Sequence, residues 1–389
     1  MSEDIAILGA GKIGRGVVGL LFSRAGYRLH LYDVFMDGML RLRSQGYYTV
    51  HVTDGNAVDE IYRVDGFDIV DSTSADASVE LLSRISLAAC CVYEGAFESV
   101  SQVIADAIRR RIANGNDACL NILLCVNALG APARVTGYIE AGLSADERDF
   151  FRSHVGVCQV MVLAAGMPTP PGSSDEWEVT VSADPRLEID GDAWRGERIA
   201  IPRVTYVGNA EGMIYRKVYC GNMRHTMAGF MGEAQGLTTM DAAQQDPWIR
   251  ANITSAFNEA HDAILHEYRF DAAEDGEWVS WLDAKLDAKV KDPIERVISN
   301  PEEKLGYTNR FVGPARLCLE HHIVPYYLAR GIAYGLRHVA RARGEEPADA
   351  RAIGRLAREI CGFKDDDWEV EGLVVKHYQN MLQDELRKS

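Results

Sequence analysis

Apolar positions in the first 125 residues form short runs that are separated by amphipathic stretches. Runs at residues 5–8, 29–32, 87–93 and 122–125 predict strands, with further candidates at 47–52 and 69–70. Strands that are apolar on both faces are typical of parallel sheets covered by helices. One such helix is predicted to end near Arg111. Strands that alternate with helices predict βαβ units and a parallel sheet.

The periodicity changes after about residue 200. Residues 176–183 still alternate as a strand does, whereas the later chain has the spacing of helices, at residues 213–231, 248–268, 315–342 and 348–361. The sequence therefore predicts an α/β fold in two domains. The first is a Rossmann-like parallel-sheet domain over residues 1–203, and the second is a mostly α-helical domain over residues 204–389.

Composition excludes several classes of protein. The 389 residues carry a net charge of −16, and a nucleic-acid binder would show a basic surplus instead. No run approaches the roughly 20 apolar residues that cross a bilayer, so no membrane partner is expected. The acidic first residues do not resemble a signal peptide, and the eight cysteines are scattered as in a reducing compartment. These features predict a cytoplasmic protein, with the oligomeric state open between monomer and dimer.

The first predicted strand leads into a glycine-rich turn that has the form G-x-G-x-x-G, which comprises Gly9, Ala10, Gly11, Lys12, Ile13 and Gly14. In this pattern the first glycine permits a tight turn, and the second lets the backbone approach a pyrophosphate. The third allows close packing of helix on strand, so that the helix N-terminus points at the phosphates. Because the turn joins a buried strand to a helix, it predicts dinucleotide binding rather than a merely tight connection.

Asp33 ends the second predicted strand, 19 residues after Gly14. A carboxylate at this spacing binds the adenosine ribose hydroxyls and repels a 2′-phosphate. Val34, Phe35 and Met36 follow, so no arginine is close enough in sequence to accept that phosphate. The sequence therefore predicts NAD rather than NADP as the cofactor.

A nicotinamide enzyme that oxidises alcohols also needs a group to take the hydroxyl proton. No Tyr-x-x-x-Lys motif occurs, and the histidines lack the spacing of metal ligands, so no metal is predicted. Lys217, Asn222 and His225 lie close together in sequence. On an ideal helix Lys217 and Asn222 are roughly 140° apart, so they converge only if the helix bends or ends near Gly221. On spacing alone, a solvated helix with an incidental histidine is the favoured interpretation.

These three residues have the form K-x-x-x-x-N-x-x-H, which resembles the signature of the long-chain, metal-independent mannitol dehydrogenases. The segments around them are most similar to the mannitol-1-phosphate 5-dehydrogenases within that family. The similarity continues in order along nearly the whole chain, at residues 9–16, 48–52, 125–127, 178–181, 216–219, 294–297 and 301–305.

The resemblance implies an active site in a cleft between the two domains, with Lys217 as general acid/base. An ordinary lysine is a poor base at neutral pH, so burial or neighbouring cations are expected to lower its pKa. Asn222 and Asn127 would donate to the substrate oxygen, and His225 would bind or orient the substrate. The implied substrate is a polyol or polyol phosphate, with mannitol 1-phosphate and fructose 6-phosphate as the first candidate pair.

Two alternatives remain open, a uronate reductase of the same family and a non-catalytic NAD-binding sensor. The cations that could hold a phosphate cannot be ranked from the sequence; they are Arg216, Arg224, Arg296, Lys304 and Arg310.

Overall fold

The structure is a computed structural model that describes residues 3–54, 59–167, 169, 175–287 and 292–386. It divides into two compact units, Met1–Glu211 and Gly212–Ser389. The strands are β1 (Asp4–Leu8), β2 (Arg28–Tyr32), β3 (Tyr47–Thr53), β4 (Asp59–Asp65), β5 (Asp68–Ile69), β6 (Leu87–Cys90), β7 (Leu120–Leu124), β8 (Val155–Val162), β9 (Gly166–Met167), β10 (Val179–Ser182), β11 (Leu187–Asp190) and β12 (Val204–Val207).

Helices connect the strands of the first unit and dominate the second. They are α1 (Leu20–Arg24), α2 (Met36–Gln45), α3 (Ala75–Arg84), α4 (Phe97–Ala113), α5 (Ala131–Ala141), α6 (Ala145–His154), α7 (Ala210–Arg216), α8 (Met223–Ala234), α9 (Met240–Gln245), α10 (Pro247–Glu267), α11 (Ala272–Asp287), α12 (Ile294–Ile298), α13 (Pro301–Leu305), α14 (Val312–Glu320), α15 (Tyr326–Arg343), α16 (Ala350–Cys361) and α17 (Trp368–Leu386). Two π-helical turns, Gly14–Gly19 and Lys217–Asn222, precede α1 and α8. None of these described helices could span a membrane.

An eight-stranded sheet forms the centre of the first unit, in the order β12-β11-β8-β7-β6-β1-β2-β5. All its pairs are parallel except β8 with β11. Ile5 and Ile7 on one face of β1 belong to one apolar cluster, and Ala6 and Leu8 on the other face belong to a second. The sheet is thus buried on both faces, which explains the uninterrupted apolar runs and confirms the predicted Rossmann-like domain.

A second sheet of four strands, in the order β4-β3-β10-β9, covers the helix that follows the glycine-rich turn. A Cβ at Gly16 would lie 2.7 Å from Val181 Cγ1 on β10, and one at Gly19 would lie 2.5 Å from the Tyr48 hydroxyl on β3. Glycine at both positions lets the helix approach this small sheet closely. The predicted strands at 47–52 and 176–183 therefore belong to a sheet of their own.

The second unit is helical, as predicted, and α8 is its central element. Residues on nearly every side of α8 are buried, because α9, α10, α12 and α15 pack around it. The predicted helix at 315–342 is wrong as one element. His322 has a φ of +61° and Pro325 precedes α15, so the chain turns between α14 and α15. Proline has no N–H to continue the helix and disfavours helical geometry at the residue before it.

Candidate active site

The glycine-rich turn of the first unit has the geometry that a dinucleotide requires. Gly9 has a φ of +96°, and a Cβ there would lie 2.8 Å from the carbonyl oxygen of Cys91. A Cβ at Gly14 would lie 2.1 Å from the Gly9 carbonyl oxygen, whereas one at Gly11 would meet no atom within 4 Å. Gly9 and Gly14 are thus needed for the turn itself. Gly11 keeps the space in front of the backbone open to a pyrophosphate.

Lys12 and Ile13, the variable positions of the turn, have structural partners. Lys12 is exposed, and its Nζ donates to the carbonyl oxygen of Met167 on β9 at 2.8 Å. Ile13 is partly buried against the apolar cluster that contains Ile5 and Ile7. Both residues therefore hold the turn in place, and Lys12 also brings a positive charge to its rim.

Asp33 lies at the carboxyl end of β2 and is tied to the turn. Its Oδ2 accepts from the Ala10 N–H at 3.0 Å, and its Oδ1 accepts from the Phe35 N–H at 3.0 Å. An ionised carboxylate has about four acceptor positions, so two remain for the hydroxyls of a ribose. The contact with Ala10 fixes that carboxylate beside the glycine-rich turn.

Arg15 lies directly after the glycine-rich turn, and the sequence analysis assigned no role to it. Its side chain is buried; Nε donates to the Ala10 carbonyl at 2.7 Å, and Nη1 donates to the Trp177 carbonyl at 2.6 Å. Burial lowers the pKa of the guanidinium, while the rings of Tyr48 and Trp177 lie 5.4 and 5.6 Å from it. Arg15 links the turn to the segment before β10. An arginine directly after G-x-G-x-x-G, on an otherwise apolar helix, was the available signal.

Asn127 is exposed beyond the carboxyl end of β7, which is the edge at which open parallel sheets bind their ligands. The buried Gln159 on β8 positions this segment, because its amide donates to the carbonyl oxygens of Leu124 and Val126 at 3.3 and 3.2 Å. The two strands adjacent to Asn127 therefore fix the backbone that carries it.

In the second unit, Lys217 and Asn222 are the first and last residues of the π-helical turn between α7 and α8. Hydrogen bonds from i to i+5 widen such a turn, so residues five apart come close to one face. Val218, Tyr219 and Cys220 are buried, whereas Lys217 and Asn222 are partly exposed. The helix does not end at Gly221 but continues into α8, and the wider pitch of the turn places Lys217 and Asn222 towards one face.

His225 lies three residues after Asn222, on the first turn of α8, and is partly exposed. The Gln244 amide lies 3.3 Å from its Nδ1, and Asp292 Oδ2 lies 3.9 Å from its Nε2. Asp292 is in turn paired with Arg296 through both carboxylate oxygens. Lys217, Asn222 and His225 thus share the exposed side of one helical stretch.

Three of the five candidate cations pair with carboxylates: Arg296, as described above, and the buried Arg216 and Arg224. Arg216 is 1% exposed and pairs with Glu274 and Asp275, each at 2.6 Å. Arg224 is 2% exposed and pairs with Asp283 at 2.9 Å. Their charges are compensated, so neither is placed to hold a phosphate.

Lys304 and Arg310 differ from those arginines. Lys304 Nζ donates to the carbonyl oxygens of Val297, at 3.0 Å, and Ser299. Arg310 donates to Thr226 Oγ1 at 3.2 Å and to Asn309 Oδ1 at 3.3 Å. Burial, together with the positive charge of Arg310, lowers the pKa of Lys304 to about 8. Within the described part of the chain, neither cation lies within 4 Å of a carboxylate.

Among the described residues, no group of three or more His, Cys, Asp or Glu side chains is arranged to hold a metal ion. The second unit offers the chemistry of an amine, an amide, an imidazole and cations, and the first unit offers a turn that fits a dinucleotide.

Two family models match the chain along most of its length. The mannitol dehydrogenase Rossmann domain matches residues 3–199, and the mannitol dehydrogenase C-terminal domain matches residues 210–351. The chain therefore belongs to the mannitol dehydrogenase family. This membership confirms the enzyme class and cofactor that the sequence predicts, an NAD-dependent polyol dehydrogenase.

Solved structures share the fold. Mannitol 2-dehydrogenase from Pseudomonas fluorescens, in a ternary complex with NAD and D-mannitol, superposes with a TM-score of 0.77 at 15% identity; the match covers 99% of this chain and 92% of that one. A D-sorbitol dehydrogenase in substrate-free form has a TM-score of 0.71 at 15% identity, covering 97% and 93% of the two chains. At these identities the likeness concerns the fold.

Proposed function

We propose that this protein interconverts a sugar-alcohol phosphate and its ketose phosphate with NAD, the first candidate pair being mannitol 1-phosphate and fructose 6-phosphate. The observation that supports a phosphorylated substrate is the pair of cations Lys304 and Arg310. The charge of Glu303 acts on both side chains, but neither forms an ion pair with it within 4 Å. A half-buried cation without a direct ion pair costs free energy, which an anionic ligand offsets. The two side chains are suited to an anion that the substrate brings with it.

Hydrogen bonds connect the pair to the segments that flank His225 and its partner Asp292. Arg310 donates to Thr226, the residue after His225, on α8. Lys304 donates to the carbonyl oxygen of Val297, the residue after Arg296, which in turn holds Asp292 near His225. A phosphate at Lys304 and Arg310 would therefore direct the polyol chain along α8 towards the π-helical turn.

Lys217 is the residue to which the proposal assigns the proton. Oxidation breaks the C–H and O–H bonds of one carbinol group and forms a C=O bond. NAD, when bound, accepts the hydride with its electron pair. The Lys217 Nζ, in its neutral form, takes the hydroxyl proton and becomes an ammonium group; in the reverse direction it returns that proton to the alkoxide.

Asn222 and Asn127 are assigned to the oxygen that changes charge. An amide N–H can donate to this oxygen and stabilise the alkoxide character that develops as the proton leaves. On the exposed side of the π-helical turn, Asn222 can act on the same oxygen atom as Lys217. His225 is assigned to binding a neighbouring hydroxyl of the substrate.

A uronate reductase is the second candidate, since the planar guanidinium of Arg310 would also bind a carboxylate in a bidentate manner. The two activities differ in the anion and in its distance from the reacting carbon. A non-catalytic sensor would bind NAD and these ligands without turnover.

The test is a panel of mannitol, mannitol 1-phosphate, fructose 6-phosphate and uronates, followed through the absorbance of reduced cofactor. We expect the phosphates to have the highest kcat/KM. Arg310→Met should raise KM for mannitol 1-phosphate about 10–100-fold, the loss expected for charge-assisted hydrogen bonds, and leave KM for unphosphorylated mannitol nearly unchanged. Arg355→Met, which changes an exposed arginine on α16, is the control.

Equal kcat/KM for mannitol and its phosphate would contradict the phosphate assignment while leaving the dehydrogenase intact. Preferential reduction of uronates would establish the second candidate. Binding of NAD without turnover of any compound in the panel would indicate a sensor.

A further inference from the structure

We infer that Gln244 is a positioning residue that fixes the tautomer of His225, so that the imidazole presents its Nε2–H to the substrate. The inference rests on the proposed function for the role of His225, but the tautomer itself is a property of the free protein. It assigns Gln244, which has no place in the K-x-x-x-x-N-x-x-H pattern, to the same site.

Gln244 is placed for this task by burial. Its side chain is only 6% exposed, whereas the adjacent Gln245 on α9 is exposed. The Gln244 amide nitrogen lies 3.3 Å from His225 Nδ1. An amide nitrogen can only donate, so Nδ1 must offer its lone pair, and in the neutral ring the proton then resides on Nε2.

Asp292 independently favours the same tautomer. Its Oδ2 lies 3.9 Å from His225 Nε2, and a carboxylate oxygen attracts an N–H rather than a lone pair. Arg296 pairs with both oxygens of Asp292 and holds that carboxylate in its orientation. A donor faces one ring nitrogen and an acceptor faces the other.

The two partners of His225 share one support. The Met240 N–H at the start of α9 donates to the Asp292 carbonyl oxygen at 2.9 Å, and Thr239 forms a β-bridge with Pro293. Gln244 is at the other end of this six-residue helix. The main chain therefore holds Gln244 and Asp292 in register on opposite sides of the imidazole.

This arrangement separates the roles of His225 and Lys217. With Nδ1 occupied by Gln244, the remaining nitrogen is a donor, and it can bind a substrate oxygen but cannot accept a proton from the reacting hydroxyl. Proton transfer is then left to Lys217. Loss of the Gln244 contact would allow the imidazole to present a lone pair to the substrate instead.

The direct test is ¹⁵N NMR of the free protein. The resonances of His225 are assigned as those that disappear in His225→Asn. We expect the Nε2–H tautomer in the unmodified protein and in Gln245→Leu. Gln244→Leu should populate both tautomers, because only the more distant Asp292 still favours the Nε2–H form, and Gln244→Glu should protonate Nδ1 as well, because carboxylates then face both ring nitrogens. KM for the polyol substrate should rise about 3–10-fold in Gln244→Leu, the range for one lost hydrogen bond, with NADH affinity unchanged.

The inference would be overturned if the protonation of the His225 ring were unchanged in both Gln244 variants. It would also be overturned if Gln244→Leu had the same KM as Gln245→Leu. If the protein turned over no polyol at all, the proposed function would fail, and the NMR result would still decide whether Gln244 sets the tautomer. Should Gln244→Leu not fold, Gln244→Glu keeps a polar group of the same size and answers the same question.

Discussion

Lys217 and Asn222 begin and end a single π-helical turn, and three of the four residues between them are buried. Such turns are uncommon and occur mostly inside α-helices, frequently at functional sites. Here the wider pitch of the turn, and not a helix end at Gly221, aligns the two polar side chains. The interpretation of this segment as a solvated helix is weakened, because its exposed side carries an amine and an amide in register.

The first prediction concerns Lys217 as the base. Lys217→Ala should lower kcat for alcohol oxidation by about 10²–10⁴-fold, the range typical of general acid–base catalysis. Because a lysine must be neutral to accept a proton, alcohol oxidation by the unmodified protein should increase with pH. This increase should vanish in Lys217→Ala and persist in Asn222→Ala, which loses only a donor to the substrate oxygen. NADH affinity, measured by titration, should stay nearly constant. Near-normal turnover in a folded Lys217→Ala protein would move the base elsewhere.

The second prediction concerns cofactor choice. Asp33→Asn keeps an acceptor for the Ala10 N–H but removes the charge that repels a 2′-phosphate. We expect weaker NAD binding and a smaller preference for NAD over NADP, measured as the ratio of the two kcat/KM values. Asp37→Asn, an exposed change on α2, serves as the control. If the unmodified protein used NADP as well as NAD, the assignment of Asp33 would be wrong.

The third prediction concerns Arg15. Arg15→Met removes two hydrogen bonds from a charged donor, to Ala10 and Trp177, and leaves both carbonyls without that partner. Stability should fall by about 2 kcal/mol or more, measured by denaturant unfolding. The dissociation constant for NADH should also rise, because the turn loses its anchor. Arg15→Lys should recover part of both effects; a destabilised Arg15→Met protein with normal NADH affinity would confine Arg15 to the fold.

The fourth prediction concerns pH. The pKa of Lys304 is lowered to about 8 by burial and by Arg310, so this side chain loses its positive charge as the pH rises through 8. Affinity for a phosphorylated ligand should therefore be highest below pH 8 and fall above it. In Lys304→Met that part of the pH dependence should disappear, and affinity below pH 8 should drop to the level seen above it. Identical pH profiles of the two proteins would exclude Lys304 from anion binding.

The fifth prediction concerns metal. Because the assigned roles fall to Lys217 and to amide donors, exhaustive dialysis against a chelator should leave kcat unchanged. Loss of activity that zinc alone restores would show that a different chemistry operates.

The strands β1, β2, β6 and β7 could be predicted because burial on both faces leaves a continuous apolar run in the sequence. Other strands escaped prediction: β4 is mostly exposed and polar, β11 and β12 are only four residues long, and the apolar run of β8 contains Gly156 and Gln159. For such strands the pairing partner decides the structure, and it is distant in sequence.

The residues of the candidate site also fall into those that could be predicted from the sequence and those that could not. Gly9, Gly14 and Asp33 could be identified because local spacing fixes their task. The π-helical turn could not, since propensity does not distinguish i+5 from i+4 hydrogen bonding. Arg216 has its carboxylate partners 58 and 59 residues away, whereas Lys304 and Arg310 have no carboxylate within 4 Å among the described residues. Sequence spacing contains no record of that difference.

The parallel pairing of β3 with β10 also imposes a delay during synthesis of the polypeptide, because this pairing cannot form until β10 has been made. Val52 and Val181 are register partners about 130 residues apart, so at roughly 5–20 residues per second β10 is synthesised about 6–26 s after β3. During that interval the nascent β3–β4 hairpin and the Gly16 side of the dinucleotide helix lack the strand that covers them. A ribosome that stalled before residue 179 would therefore carry a chain whose glycine-rich turn is already translated but whose cofactor site is not yet supported.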